Sequence, residues 1–252
     1  MSKGEAVTSF VLVHGAWCGG WIWKHVASAL RAQGHDVRTP TLTGLGERAH
    51  LASPEVGLGT HVEDVVRVLE YDDVADVVLV GHSYGGMVVT GVCDRVPERL
   101  AQLVFLDAFV PRDGQSLHDL VPVGGARHNR ELAEREGDGW RIPLEDEWRT
   151  ASTEENLRWM NPRWTDHPLR CFEEPVRLTQ PVGAGVPCSY VRCTANRETE
   201  DIFDPIAAGL GGDWRVYDLA TVHTAMEAAP DQVAEVLLKI AGCEPTQRAV
   251  HS

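Results

Sequence analysis

The sequence predicts an α/β fold: a mostly parallel β-sheet with flanking helices, interrupted by one inserted helical cap. Three observations carry that expectation. Short β-branched and aliphatic runs end in glycine or a turn at SFVLVHG (9–15), DVVLVGHS (76–83) and LVFLDAF (103–109). Amphipathic helical patterns alternate with the strand runs. Between residues 111 and 185 the strand runs give way to charged residues, prolines and the tryptophans Trp140, Trp148, Trp159 and Trp164.

Runs this short and this uniformly apolar suit strands covered on both faces of a sheet. WKHVASALRAQGH (23–35) places apolar residues at 23, 26, 27 and 30 and stops at a glycine, the pattern of an amphipathic helix. HDVRTP (35–40) reads as a short strand. THVEDVVRVLEYD (60–72) reads as a second crossover helix, with Thr60 as N-cap, Glu63 three positions later and Val62, Val65, Val66 and Leu69 on one side. After the insertion the alternation resumes with PCSYVRC (187–193), WRVYDL (214–219) and a last helix, PDQVAEVLLKIAG (230–242), opened by proline and closed by glycine. Strands alternating with helices imply βαβ units and a parallel sheet. The expected organisation is one catalytic domain, with residues 1–110 and 186–252 as its core and 111–185 as the cap or lid.

The formal net charge of −14 disfavours phosphate backbones and anionic lipid, which points to a small molecule as partner, with neither nucleic acid nor membrane. The sequence leaves a homodimer open. No apolar run of signal-peptide length occurs in MSKGEAVTSF, and no stretch approaches the roughly 18 apolar residues needed to span a bilayer, so a cytoplasmic protein is expected. Cys18, Cys93, Cys171, Cys188, Cys193 and Cys243 are scattered through apolar segments and read as reduced thiols. No CxxC or HExxH spacing is present, so neither a metal nor a cofactor is expected.

The strongest chemical signal is VVLVGHSYGGMVVTGVC (77–93), in which a valine-rich strand runs through Gly81-His82-Ser83-Tyr84-Gly85 into a helical pattern. This is the G-x-S-x-G nucleophile elbow in its strand-turn-helix context. The turn is sharp, and its glycines let strand and helix approach closely. Ser83 is thus the candidate nucleophile, placed at a helix N-terminus whose amides and dipole favour an oxyanion. VLVHGAW (11–17) leaves the first strand in a loop that can donate a second oxyanion hydrogen bond from the amide of Ala16, with the Tyr84 amide as its partner. His14 and His82 read as structural imidazoles. The candidate general base is His223, in the loop between the last strand and the last helix, which gives the chain order expected when both groups project from the carboxyl edge of one sheet.

With these residues in hand, the chain resembles the α/β-hydrolase family that contains plant methyl esterases, salicylate-binding esterases, hydroxynitrile lyases and bacterial esterase-like relatives. The resemblance is carried by FVLVHGAWCGGWIW (10–23), VGHSYGG (80–86), LVFLDAFVP (103–111) and VHTAM (222–226). It implies the α/β-hydrolase fold. It also separates reaction types, because lyases of the family carry a threonine after the first-strand histidine and a lysine after the catalytic histidine. Here those places hold Gly15 and Thr224. Hydrolysis is therefore expected: a small, aromatic or alicyclic carboxylic ester cleaved through an acyl-enzyme, without cofactor. The alternatives are a low-turnover ligand-binding member of the fold and a hydroxynitrile lyase. In the cap, the tryptophans with Leu117, Leu120 and Met160 would wall an apolar pocket.

The acid of the triad is open. Plant members of the family carry it in the loop that here reads TANRETEDIFDP (194–205), where Asn196, Glu200 and Asp201 compete for the place. Asp107 is the other candidate. It ends an otherwise apolar strand beside the elbow, where burying a carboxylate is costly unless a partner such as His223 compensates.

Overall fold

A computed structural model of the chain describes residues 7–149, 151–183, 185–195 and 200–243. In chain order its main elements are β1 (Ser9–Val13), α1 (Lys24–Ala32), β2 (Asp36–Arg38), α2 (Leu58–Tyr71), β3 (Val77–Ser83), α3 (Gly85–Arg95) and β4 (Leu100–Ala108). Then come α4 (Gly125–Glu136), β5 (Arg141–Ile142), α5 (Glu154–Met160), β6 (His167–Pro168) and α6 (Arg170–Glu173). The chain ends with β7 (Cys188–Cys193), α7 (Glu200–Ala208), β8 (Arg215–Leu219), α8 (Ala225–Ala228) and α9 (Pro230–Ala241). Six strands form one sheet in the order β2-β1-β3-β4-β7-β8, and every neighbouring pair is parallel. β5 and β6 make a separate antiparallel ribbon.

The inner strands β1, β3, β4 and β7 are apolar on both faces because alternate residues of each serve different layers, whereas the edge strands β2 and β8 are partly exposed. Phe10 and Leu12 of β1 pack with Val26, Ala27 and Leu30 of α1 and Val233, Leu237 and Leu238 of α9. Val11 and Val13 pack on the other side with Val62, Val65, Val66 and Leu69 of α2 and Met87, Val88 and Val92 of α3. Burying a side chain such as Leu12 in these layers stabilises the fold by about 1.5–3 kcal/mol.

Several expectations shift in detail. α2 begins at Leu58 with Gly57 as N-cap, so Thr60 is one turn inside, and its hydroxyl accepts from the Gly57 amide at 3.5 Å. The apolar stripe is as expected; what moved is the cap, because glycine at 57 supplies the extended residue that the chain needs to enter the helix. Met160 is fully buried in the α1/α9 layer, whereas Leu117 is buried in the α2/α3 layer, so these two do not wall one pocket. The insertion between β4 and β7 holds α4 to α6 and the β5–β6 ribbon, whose two-residue strands are too short to leave a period-two pattern.

Candidate active site

Ser83 ends β3 with φ at +52°, a left-handed conformation that costs a non-glycine residue roughly 1–2 kcal/mol and is kept only where surroundings dictate it. The surroundings are tight. A Cβ at Gly81 would lie 2.6 Å from the Gly85 carbonyl oxygen and 2.7 Å from Val89, so strand and helix could not close on the turn. The β3–β4 register shifts between His82 and Ser83, which brings Ser83 opposite Ala108 and sets Asp107 out of the ladder, with φ at +44°. Tyr84 caps α3, whose first amides have no intrahelical acceptor and point toward the Ser83 end of the strand.

His223 follows β8, and its Nδ1 lies 2.7 Å from Asp107 Oδ2. Asp107 is 1% exposed. Its other carboxylate oxygen accepts from the Cys193 amide at 3.2 Å. Both charge-assisted bonds offset the burial of the carboxylate. Because a carboxylate only accepts, His223 donates from Nδ1–H, which turns Nε2 away from Asp107. Phe203 of α7 stacks on the His223 ring at 4.9 Å and 12°. His82 Nε2 donates to the His223 carbonyl at 2.9 Å, which ties the histidine loop to the elbow.

The structure thus brings Asp107 and His223 together and links them through His82 to the Ser83 turn. Asn196 and the side chains of Glu200 and Asp201 lie outside the described residues. The loop bearing Ala16 is held from within: His14 Nδ1 donates to the Gly15 carbonyl at 2.8 Å, and its Nε2 accepts from the Leu42 amide at 3.1 Å. Gly15 itself has no room for the threonine of the lyases, since a Cβ there would sit 2.9 Å from His82 Nδ1 and 3.0 Å from Ser83 Cβ.

Beneath the elbow lies a second polar group that the sequence did not reveal. The Tyr84 hydroxyl meets His61 Nδ1 at 2.8 Å, and His61 Nε2 donates to the Thr43 carbonyl at 2.9 Å, which makes the tyrosine the donor to Nδ1. His61, His167 and Cys171 place ligating atoms within 4.8 Å of one another. Both nitrogens of His61 are already engaged, so this trio reads as a hydrogen-bonded support rather than a metal centre. No local motif could have found it, because α2, the elbow and the insertion meet only in the fold.

Burial pushes the His14 and His61 imidazoles down to about 4 and those of His82 and His167 well below the ordinary histidine value. The folded protein therefore binds fewer protons than the unfolded chain once pH falls below about 6.5, so the stabilisation is complete above that pH and is lost toward 4. Each of His14 and His61 should remove about 2 kcal/mol of stability by pH 5. Urea unfolding at pH 7.5 and 5.0 measures it; equal free energies at the two pH values would mean that these histidines are protonated in the folded state.

Residues 10–236 match the alpha/beta hydrolase family. The chain is 38% identical over 242 residues to a carbendazim hydrolyzing esterase from Nocardioides sp. (strain SG-4G), a match spanning 92% of this chain and 98% of that one. Methylesterase 8 of Arabidopsis thaliana is 33% identical over 103 residues, 40% of this chain and 38% of its own length. Among solved structures, an extracellular alpha/beta-hydrolase from a Paenibacillus species, which shares structural and functional homology with tobacco salicylic acid binding protein 2, superposes with a TM-score of 0.82 at 27% identity, covering 92% of this chain and 98% of that one. The chain belongs to the alpha/beta hydrolase family and is related to the plant methylesterases and their bacterial esterase homologues. It is a hydrolase of the esterase type that acts on small esters.

The cytoplasmic location expected from the sequence is corrected by the Paenibacillus relative, which is extracellular. The physical reason is that the fold rests on two apolar layers and all six cysteines are free, so its stability makes no demand on the redox state of the compartment. Among the described residues no helix is long and apolar enough to cross a membrane.

Proposed function

We propose that Ser83, His223 and Asp107 act as nucleophile, general base and orienting acid in the hydrolysis of a small aromatic or alicyclic carboxylic ester. The observation that carries the reading is the 2.7 Å bond between His223 Nδ1 and the buried Asp107, at the same sheet edge as the strained Ser83 turn. His223 Nε2 takes the Ser83 hydroxyl proton as Oγ attacks the ester carbonyl, and the Ala16 and Tyr84 amides hold the oxyanion. Collapse of the tetrahedral species expels the alcohol, which receives that proton from His223. Water, deprotonated by the same nitrogen, then releases the acid and regenerates Ser83.

An open apolar cleft of about 350 Å³ lies between Leu120, Val121 and Pro122 of the insertion and Ile202, Pro205 and Ile206 of α7; none of Ser83, His223 and Asp107 lines it, so the substrate class rests on the family relationship rather than on this cleft. In this reading residues 111–185 are the cap that covers the site and excludes water. The net charge of −14 supports a small-molecule partner rather than nucleic acid, and a homodimer is compatible with a site drawn from one chain.

A panel of p-nitrophenyl and aryl methyl esters, with carbendazim included because of the Nocardioides relative, should show saturable turnover, with mandelonitrile cleaved no faster than in buffer. Binding without turnover across the panel would favour a ligand-binding role, and enantioselective cyanide release a lyase.

A further inference from the structure

We propose that His167, a residue of the inserted segment, is a positioning residue for the oxyanion amide of Ala16. The inference rests on the serine-hydrolase reading above. Trp17, the neighbour of Ala16, has φ at +59°, a conformation that a tryptophan does not hold unaided. What holds it comes from the insertion. The Trp17 amide donates to His167 Nδ1 at 3.3 Å, its carbonyl accepts from the Thr165 amide at 3.0 Å, and its indole Nε1 donates to the Ile142 carbonyl at 2.8 Å. Ile142 and His167 are themselves paired across the β5–β6 ribbon, so two of these three bonds come from one rigid unit.

The consequence for Ala16 follows from the connectivity of the backbone. The Gly15 carbonyl that His14 holds belongs to the same peptide plane as the Ala16 amide. The Trp17 amide that His167 holds belongs to the next plane. Ala16 therefore lies between two pinned peptide planes, one fixed by the core and one by the insertion, and its N–H direction is set by both. His167 also packs edge-on against the Tyr84 ring, with centroids 4.8 Å apart, so it contacts one residue that supplies an oxyanion amide and bonds the residue that follows the other. His167 is fully buried, and its lowered basicity keeps Nδ1 an acceptor.

The test compares substitutions at His167 with an assay that reads the oxyanion hole specifically. Asparagine places an acceptor oxygen near the Nδ1 position; glutamine places it near Nε2; phenylalanine supplies none. In a thionoester the sulfur accepts hydrogen bonds weakly, so its hydrolysis draws little on the hole. His167→Phe and His167→Gln are expected to lower kcat for an aryl ester roughly 30-fold or more, short of the 10²–10³ of losing a donor outright. KM and the thionoester rate should move less than about threefold, and His167→Asn should recover kcat to within about fivefold of the parent. Thermal midpoints and Ser83 labelling by a fluorophosphonate are measured on every variant. Should Phe fail to fold, the Asn and Gln pair decides. Parallel loss of ester and thionoester turnover, unchanged kcat, or equal activity of Asn and Gln overturns the role of His167. Failure of the unsubstituted protein to be labelled at Ser83, or to prefer the ester over the thionoester, instead overturns the serine-hydrolase reading.

Discussion

Replacing Ser83 by alanine is expected to abolish ester turnover, leaving less than about a thousandth of kcat, while the fold and ligand affinity stay close to those of the parent. The size of the loss follows from the covalent role: without Oγ there is no acyl-enzyme, and only binding and the oxyanion amides remain to accelerate direct attack by water. The fold should tolerate the change because alanine keeps the Cβ that packs beside Gly15 and accepts the same backbone strain at φ +52°. A fluorophosphonate should label Ser83 in the parent and nothing in the variant. Retention of more than a thousandth of the activity, or labelling elsewhere, would remove Ser83 from the mechanism.

Those parts of the molecule that depend on local pattern were readable in the chain. The strands at 9–15, 76–83 and 103–109 are continuous apolar runs because the sheet is covered on both faces, and β1, β3 and β4 fall on them. The Ser83 turn was readable because close approach of strand and helix demands glycine at fixed offsets. Asp107 stood out for an energetic reason, as a carboxylate ending an apolar strand, although the sequence left the loop at 194–205 as a rival. Trp17 and His167 were not readable. They are 150 residues apart, their bond runs between a core loop and a two-residue strand, and although Trp17 closes the VLVHGAW motif nothing around His167 marks it as its partner. The same holds for His61 beneath Tyr84, which sits among the apolar positions of α2 and reads as part of a stripe. Met160 was expected to share a pocket wall with Leu117 and instead packs in the other layer, because apolar character marks burial without saying against what.

Replacing Asp107 by asparagine is expected to lower kcat by roughly 10³–10⁴ with little change in KM, whereas Glu200→Gln and Asp201→Asn should each stay within about threefold of the parent. The magnitude follows from the two bonds that the carboxylate makes. Oδ1 accepts from the Cys193 amide and Oδ2 from His223 Nδ1–H. Asparagine has a single acceptor oxygen for these two donors. If its carbonyl serves the Cys193 amide, its NH₂ faces His223 and forces Nδ1 to accept, which moves the imidazole proton to Nε2. That nitrogen is the one needed to take the Ser83 proton, so the base is present but in the wrong tautomer. If the amide instead turns its oxygen to His223, the buried Cys193 amide is left against an NH₂ group, at a penalty of about 1–3 kcal/mol. In either arrangement the negative charge that stabilises the imidazolium during attack is gone. Steady-state kinetics on the three variants, with thermal midpoints as a check on folding, decide the matter. A large loss in Glu200→Gln or Asp201→Asn with Asp107→Asn near the parent would return the acid to the loop after β7.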